Sequence, residues 1–279
     1  VGGDKRSKLS SAQKDQLRLW VDENGSLTLK QLREKILNTF DTTVSCSTID
    51  RCLGKLHYTL KQVTILPAPR NGELTMQKRF EYAQKFRDLE VCYCAENLVF
   101  LDEVGFSVAT RSQRWRSLKG TSAYIDVPAV RTRNISVLAA MNKNGMIFCK
   151  TSDTPYNGET FKTALGLIKS KCSEMSIADP IFIMDNARIH HYSGLESLIQ
   201  DLNLKVEYLP PYSPFLNPIE NCFSKWKNFV IMGKANSESE LKMLIDRGFE
   251  EINAHGCDGY YRKMLRHVIM SERREEIFE

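Results

Sequence analysis

Residues 181 to 220 leave this chain few options. Ile181 to Met184 is a four-residue apolar run rich in β-branched side chains, suited to a strand buried on both faces, and Asp185 ends it with Asn186 opening a turn. Prolines 210, 211 and 214 then forbid a helix until Asn217-Pro218, which reads as an N-cap followed by a first-turn proline. Ile219, Phe223, Trp226 and Val230 recur at helical spacing, so Glu220 is expected in the first turn of a helix. Two carboxylates therefore sit at well-specified places, one at a strand end and one at a helix start.

Each has an ordinary reading. Asn217-x-x-Glu220 matches a capping box, and Asp185 could be a turn residue and nothing more. A third carboxylate in a matching context weakens both. Leu98-Val99-Phe100-Leu101-Asp102 repeats the pattern of four apolar residues and an Asp, and if the two strands are neighbours, Asp102 and Asp185 end side by side. Three converging carboxylates without basic partners repel one another, and a site that keeps them ionised holds divalent cations. Oxygen ligands select Mg²⁺ or Mn²⁺ over zinc. Two such ions about 3.5–4 Å apart form the clamp of in-line phosphoryl transfer. Glu103 should point to the opposite side of the strand.

The motifs Leu-Asp-Glu at 101 to 103, Met-Asp-Asn-Ala-Arg-Ile-His-His at 184 to 191, and Leu-Pro-Pro-Tyr-Ser-Pro-Phe-Leu-Asn-Pro-Ile-Glu at 209 to 220 resemble those of the mariner-like (Tc/mariner) DDE transposases. Thirty-four residues separate Asp185 from Glu220, as in one major branch of that family, and the resemblance covers nearly the whole chain. It implies an α/β fold. A ribonuclease H-like core, a mixed five-stranded sheet with flanking helices, would follow an all-α helix-turn-helix DNA-binding domain. It implies Asp102, Asp185 and Glu220 as catalytic residues and as ligands of two Mg²⁺ ions, with Mn²⁺ able to substitute. It further implies double-stranded DNA as partner, both element ends and target, with insertion at TA, a homodimer or higher oligomer, and a nuclear location.

Charge distribution agrees with a polyanionic partner. Net charge is only +5, but residues 1–70 hold twelve Lys/Arg against seven Asp/Glu, and residues 103–150 hold eight against two. In the first zone Ser10-x-x-Gln13 opens a helix with Leu17, Trp20 and Val21 inward, stopped by Asn24-Gly25. A second helix starts near Thr28 with Leu29, Leu32 and Ile36 on one face. A third starts at Ser45 with Ile49, Cys52, Leu53 and Leu56. Three short helices with a tight turn before the last form a helix-turn-helix, although most three-helix units bind no DNA. The third would offer Ser47, Thr48, Asp50, Arg51 and Lys55 to a groove. Family members carry two such units joined by a basic linker. Gly2 to Lys8 is similar to the end of that linker, and with Val1 in place of a starting Met the first unit is expected to lie upstream.

In the second zone, Arg111 to Gly120 is a basic loop around Trp115 in which Arg114, Arg116 and Lys119 could grip phosphates, or which could be a solvated hairpin with a packed Trp. Arg188 and His190, after Asp185, are the remaining DNA-contact candidates, at the expected start of a helix. The domains read as 1–58 helix-turn-helix, 59–95 linker and connecting helix, and 96–279 catalytic domain with C-terminal helices. The connecting helix carries Met76, Phe80, Ala83 and Phe86 and is either a partner surface or a core helix. Phe106 to Ala109 reads as a second strand, 134–140 and 146–150 as a hairpin turning at Asn142-Lys-Asn-Gly145, and 204–209 as a strand near the sheet's edge. The eight cysteines show no C-x-x-C pair, which disfavours a zinc site and suits reduced thiols, and no apolar run reaches membrane-spanning length.

Two rival readings remain. One is a transposase-derived DNA-binding protein without catalysis, disfavoured by the intact triad. The other is a ribonuclease H-type nuclease without strand transfer, disfavoured by the helix-turn-helix arm.

Overall fold

The computed structural model describes residues 8–61, 66–110, 134–187 and 193–278, and the chain divides into two units at Ile65/Leu66. Arg114, Arg116, Lys119, Arg188 and His190, with the basic loop around Trp115, lie outside the described residues.

The first unit holds α1 (Ser11–Glu23), α2 (Leu29–Phe40) and α3 (Cys46–Lys55). Each start is set by a local polar device. Ser10 with Gln13 and Thr28 with Gln31 form reciprocal capping boxes, and the Ser45 hydroxyl accepts from the Thr48 N–H. Leu17, Trp20, Leu32, Ile36, Val44, Ile49 and Cys52 close a small core of their own.

The second unit is built on a five-stranded sheet of β1 (Leu98–Phe106), β2 (Ile135–Asn142), β3 (Gly145–Ser152), β4 (Ile181–Met184) and β5 (Lys205–Tyr208), in the order β3-β2-β1-β4-β5. The β1–β2 and β2–β3 pairs are antiparallel; β1–β4 and β4–β5 are parallel. Gly145 closes the β2–β3 hairpin at φ 147°, a conformation that favours glycine. β5 is at an edge, as its Lys205 and Glu207 anticipated.

Alternation along the strands divides the core. Leu98, Phe100, Val104 and Phe106 of β1 and Ile181 and Ile183 of β4 face one apolar layer; Val99, Leu101, Phe182 and Met184 face the other. The second layer is covered by α5 (Gly158–Glu174) and packs Leu195 from α6 (Ser193–Asp201). The first is covered by α4 (Glu73–Cys92), α7 (Ile219–Gly233), α8 (Glu238–Glu250) and α9 (Ala254–Glu272).

Three expectations are corrected here. β1 does not stop at Asp102 but runs to Phe106, because β2 supplies partners up to Phe106↔Ile135. Phe106 to Ala109 is therefore the end of β1 and a turn rather than a second strand. The buried stripe of α4 is Thr75, Arg79, Tyr82, Ala83 and Phe86, rotated from Met76 and Phe80. Tyr82, Ala83 and Phe86 belong to the main core, so α4 is a core helix of the second unit. All eight cysteines are free, and four of them are buried. No described helix is long and apolar enough to cross a membrane.

Candidate active site

The parallel register of β1 and β4 does the first part of the assembly. Leu98, Val99 and Phe100 pair with Ile181, Phe182 and Ile183, and the same offset carried two residues further aligns Asp102 with Asp185. Asp102 stands two residues from Phe100 and two from Val104, and Asp185 two from Ile183. Period-2 alternation thus puts both carboxylates on the face of the α7 layer. Glu103, next in the chain, takes the other face, where its charge acts on the Tyr156 phenol.

Glu220 arrives on that face from the opposite direction. Ile219, Cys222, Phe223, Trp226 and Val230 are the buried stripe of α7, and their burial against the sheet leaves Glu220, in the first turn, at the sheet's edge of the contact. Asp102, Asp185 and Glu220 consequently line one cleft of about 300 Å³, walled by Asn186, Leu209, Pro210, Pro211, Tyr212, Ser213 and Asn217.

The proline-rich loop is fixed at both ends. The Leu209 N–H donates to Met184 O at 2.8 Å, extending the β4–β5 pairing, and a 3-10 turn at Pro214–Leu216 leads into Asn217. Phe215 in that turn is stacked under the Arg70 and Arg79 guanidinium groups, at 4.9 and 5.7 Å. Arg70 falls in the linker part of the 59–95 segment, ahead of the connecting helix; Ala68–Asn71 form a 3-10 turn there with Arg70 buried.

The capping-box reading of Glu220 does not hold. No side chain caps α7. The Asn217 amide turns away from its own helix and donates through Nδ2 to Asp102 Oδ2 at 3.2 Å, with Leu101 O at 3.5 Å. Asn217, read from sequence as a helix cap, thus belongs to the site; its 115-residue separation from Asp102 hid the contact. Asp102 Oδ1 accepts from the Glu103 N–H at 2.7 Å, and Asp185 Oδ1 from the Ala187 N–H at 3.1 Å, closing the expected turn. The Glu220 carboxylate makes no hydrogen bond or ion pair among the described residues.

Burial raises the Glu220 carboxyl above its ordinary 4.5; Lys227 pulls it down, and Asp185 adds to the rise. Between the ordinary and the raised value the folded protein keeps a proton that the unfolded chain has released, so stability falls as pH climbs through that window. In chelator, the wild type should therefore lose melting temperature relative to Glu220→Gln as pH rises from 4.5. Parallel curves for the two proteins would show that Glu220 is not buried in this way.

This donor set suits a hard divalent cation. A half-buried carboxylate with no hydrogen bond or ion pair among the described residues, beside a second carboxylate, is costly until more positive charge arrives, and the Asn217 Oδ1 is a further buried acceptor with no partner among the described residues. Among the described residues no three His, Cys, Asp or Glu side chains form a group that could by itself hold a metal ion.

A family model described as DDE superfamily endonuclease matches residues 97–242, more than half of the chain. The chain belongs to the DDE superfamily endonucleases. Its endonuclease core is wider than the matched range, since α4 and α9 bury Phe86 and Met264 in the same apolar layer. Among solved structures, the whole chain aligns with the Mos1 transposase paired-end complex with left transposon end at TM-score 0.81 and 17% identity, covering 82% of that chain. The Mos1 mariner paired end complex with Mn aligns at TM-score 0.80 and 16% identity, and the Mos1 Strand Transfer Complex at 0.75 and 18%, each with 100% of this chain and 82% of the other covered. At these identities the likeness establishes the fold: the mixed five-stranded sheet and its flanking helices are those of the ribonuclease H-like DDE core. No curated protein matches the chain.

Proposed function

We propose that this DDE endonuclease is a mariner-like DNA transposase, cutting phosphodiester bonds at the ends of a mobile element and joining the freed 3′ ends to target DNA. The observation that carries the reading is the convergence of Asp102, Asp185 and Glu220 on one cleft from one face of the sheet. The shared fold with chains described as paired-end and strand-transfer complexes supports the joining step.

In this reading Asp102, Asp185 and Glu220 hold two divalent ions, Mg²⁺ or Mn²⁺. Structures of the same fold are described with Mn and with Mg, and paired divalent ions are the clamp of in-line phosphoryl transfer. When bound, such ions polarise the scissile phosphate and lower the pKa of the attacking oxygen. The chain's own part is positioning. β1 and β4 set Asp102 and Asp185 abreast, α7 brings Glu220 across from them, and the Glu103 and Asn217 N–H groups orient the Asp102 carboxylate. Tyr212 and Ser213 supply the cleft's only hydroxyls among the described residues, and the Ser213 hydroxyl is donated to Pro211 O. Attack is assigned to water and then to a DNA hydroxyl, as two-ion phosphoryl transfer needs no protein nucleophile.

In the first unit we read α3 as the recognition helix of a helix-turn-helix. Ser47, Asp50, Arg51 and Lys55 are exposed along it, whereas Thr48 is half-buried with its hydroxyl against Ser45. A second copy bridging the two element ends, and action in the nucleus, complete the proposal.

The test is conversion of supercoiled plasmid to open circle in Mn²⁺, run beside an RNA–DNA hybrid. Divalent-ion-dependent nicking of plasmid is the expected result. Cleavage confined to the hybrid's RNA strand, or plasmid untouched by folded, DNA-binding protein, would overturn it.

A further inference from the structure

We infer that Asn217 is a positioning residue for Asp102, holding that carboxylate in the orientation in which it binds a divalent cation; this rests on the cation-binding reading of the cleft. Asn217 is 1% exposed, and its Nδ2 faces two oxygens of β1, Leu101 O and Asp102 Oδ2, at 3.5 and 3.2 Å. Both neighbours are acceptors, so only the NH₂ end of the amide can face them and the side-chain flip is settled by chemistry. With Oδ1 taking the Glu103 N–H and Oδ2 taking Asn217, the Asp102 carboxylate is restrained through both oxygens.

The cost of this arrangement points the same way. An Asn just before a helix ordinarily accepts from a backbone N–H of the first turn through Oδ1. Here α7 forgoes that cap, and the Asn217 Oδ1 is left buried with no partner among the described residues. The first-turn N–H groups of Glu220 and Asn221 fall back on Asn217 O and Pro218 O at 3.2 Å, and a buried acceptor is left unsatisfied among the described residues, to place one N–H on Asp102. Such a trade is unfavourable for folding and makes sense for a carboxylate whose orientation matters.

The test separates positioning from packing. Mn²⁺ is titrated into metal-free wild type, Asn217→Ala, Asn217→Ser and Glu220→Gln, with free ion followed by its electron paramagnetic resonance signal and melting temperature measured in chelator. Serine keeps a polar side chain beside a helix start that no side chain caps, but its hydroxyl is too short to reach across to β1. Both Asn217 variants are expected to bind Mn²⁺ about 10- to 100-fold more weakly than wild type, the range for loss of a partner that orients a ligand, with melting temperatures in chelator close to wild type. Wild-type affinity in Asn217→Ser would overturn the inference, whatever its melting temperature. Failure of the wild type itself to bind Mn²⁺ would instead overturn the cation reading on which the inference stands.

Discussion

Glu220→Gln lowers Mn²⁺-dependent plasmid nicking by a factor on the order of 10³ or more, without loss of folded protein. Removing a residue that merely orients a metal ligand costs 10- to 100-fold, so removing a ligand itself costs more, and about 10³-fold corresponds to roughly 4 kcal/mol of transition-state stabilisation. The substitution is nearly isosteric and neutral. Because burial already disfavours the ionised Glu220, the variant should be no less stable than wild type in chelator above the ordinary carboxyl range. Asp185→Asn should match it in nicking. The measurement is the initial rate of open-circle formation at equal protein and Mn²⁺, with circular-dichroism melts as the control for folding. Equal nicking by wild type and both variants would remove the carboxylate cleft from the chemistry.

Trp226→Ala has the largest expected effect on stability, about 3–5 kcal/mol out of a total that is typically about 5–15. Trp226 is completely buried in α7, its Nε1–H donates to Ile245 O of α8 at 2.8 Å, and its ring lies 5.4 Å from Phe106 and 5.7 Å from Phe249. The indole therefore ties together the end of β1, α7 and α8. Truncation leaves a cavity and a lost hydrogen bond at once. Urea melts followed at 222 nm by circular dichroism would report the loss as a lower midpoint; a change below about 1 kcal/mol would mean that α8 does not pack on α7 through this ring. The variant should also nick more slowly, since Trp226 anchors the helix that carries Glu220.

Much of the site was legible without coordinates, for reasons confined to short stretches of chain. Two apolar runs of equal length each ending in Asp announce two equivalent buried strands, and parallel pairing in register is the arrangement that brings those ends together. The phase of Ile219, Phe223, Trp226 and Val230 assigns Glu220 its turn of helix, because a 3.6-residue period needs only one element to be read. The illegible parts all depend on partners distant in sequence. The extension of β1 past Asp102 relies on β2, and Gly105 with the Asp-Glu pair gave no local sign of it. The buried face of α4 is set by α9 and by the 3-10 turn before it, with Arg79 on Phe215 and Asn71, where local hydrophobicity favoured Met76 and Phe80.

Gly248 and Asn217 show the same division most clearly. In the chain, Gly248 is an unremarked glycine within a helical pattern; in the fold, a Cβ there would stand 2.5 Å from Trp226 Cδ1, so its absence lets α8 close on α7. Asn217-x-x-Glu220 reads as a capping box, and the local signal is sound, but Asp102 competes for the amide and wins. The sequence by itself picked out three carboxylates that line one cleft, the strands and helix that carry them, and the boundaries of most helices, because caps, turns and periodicity act over a few residues. Only the tertiary structure decided which face each element buries, where β1 ends and what Asn217 holds, because those outcomes are set by competition between groups that meet after the chain has folded.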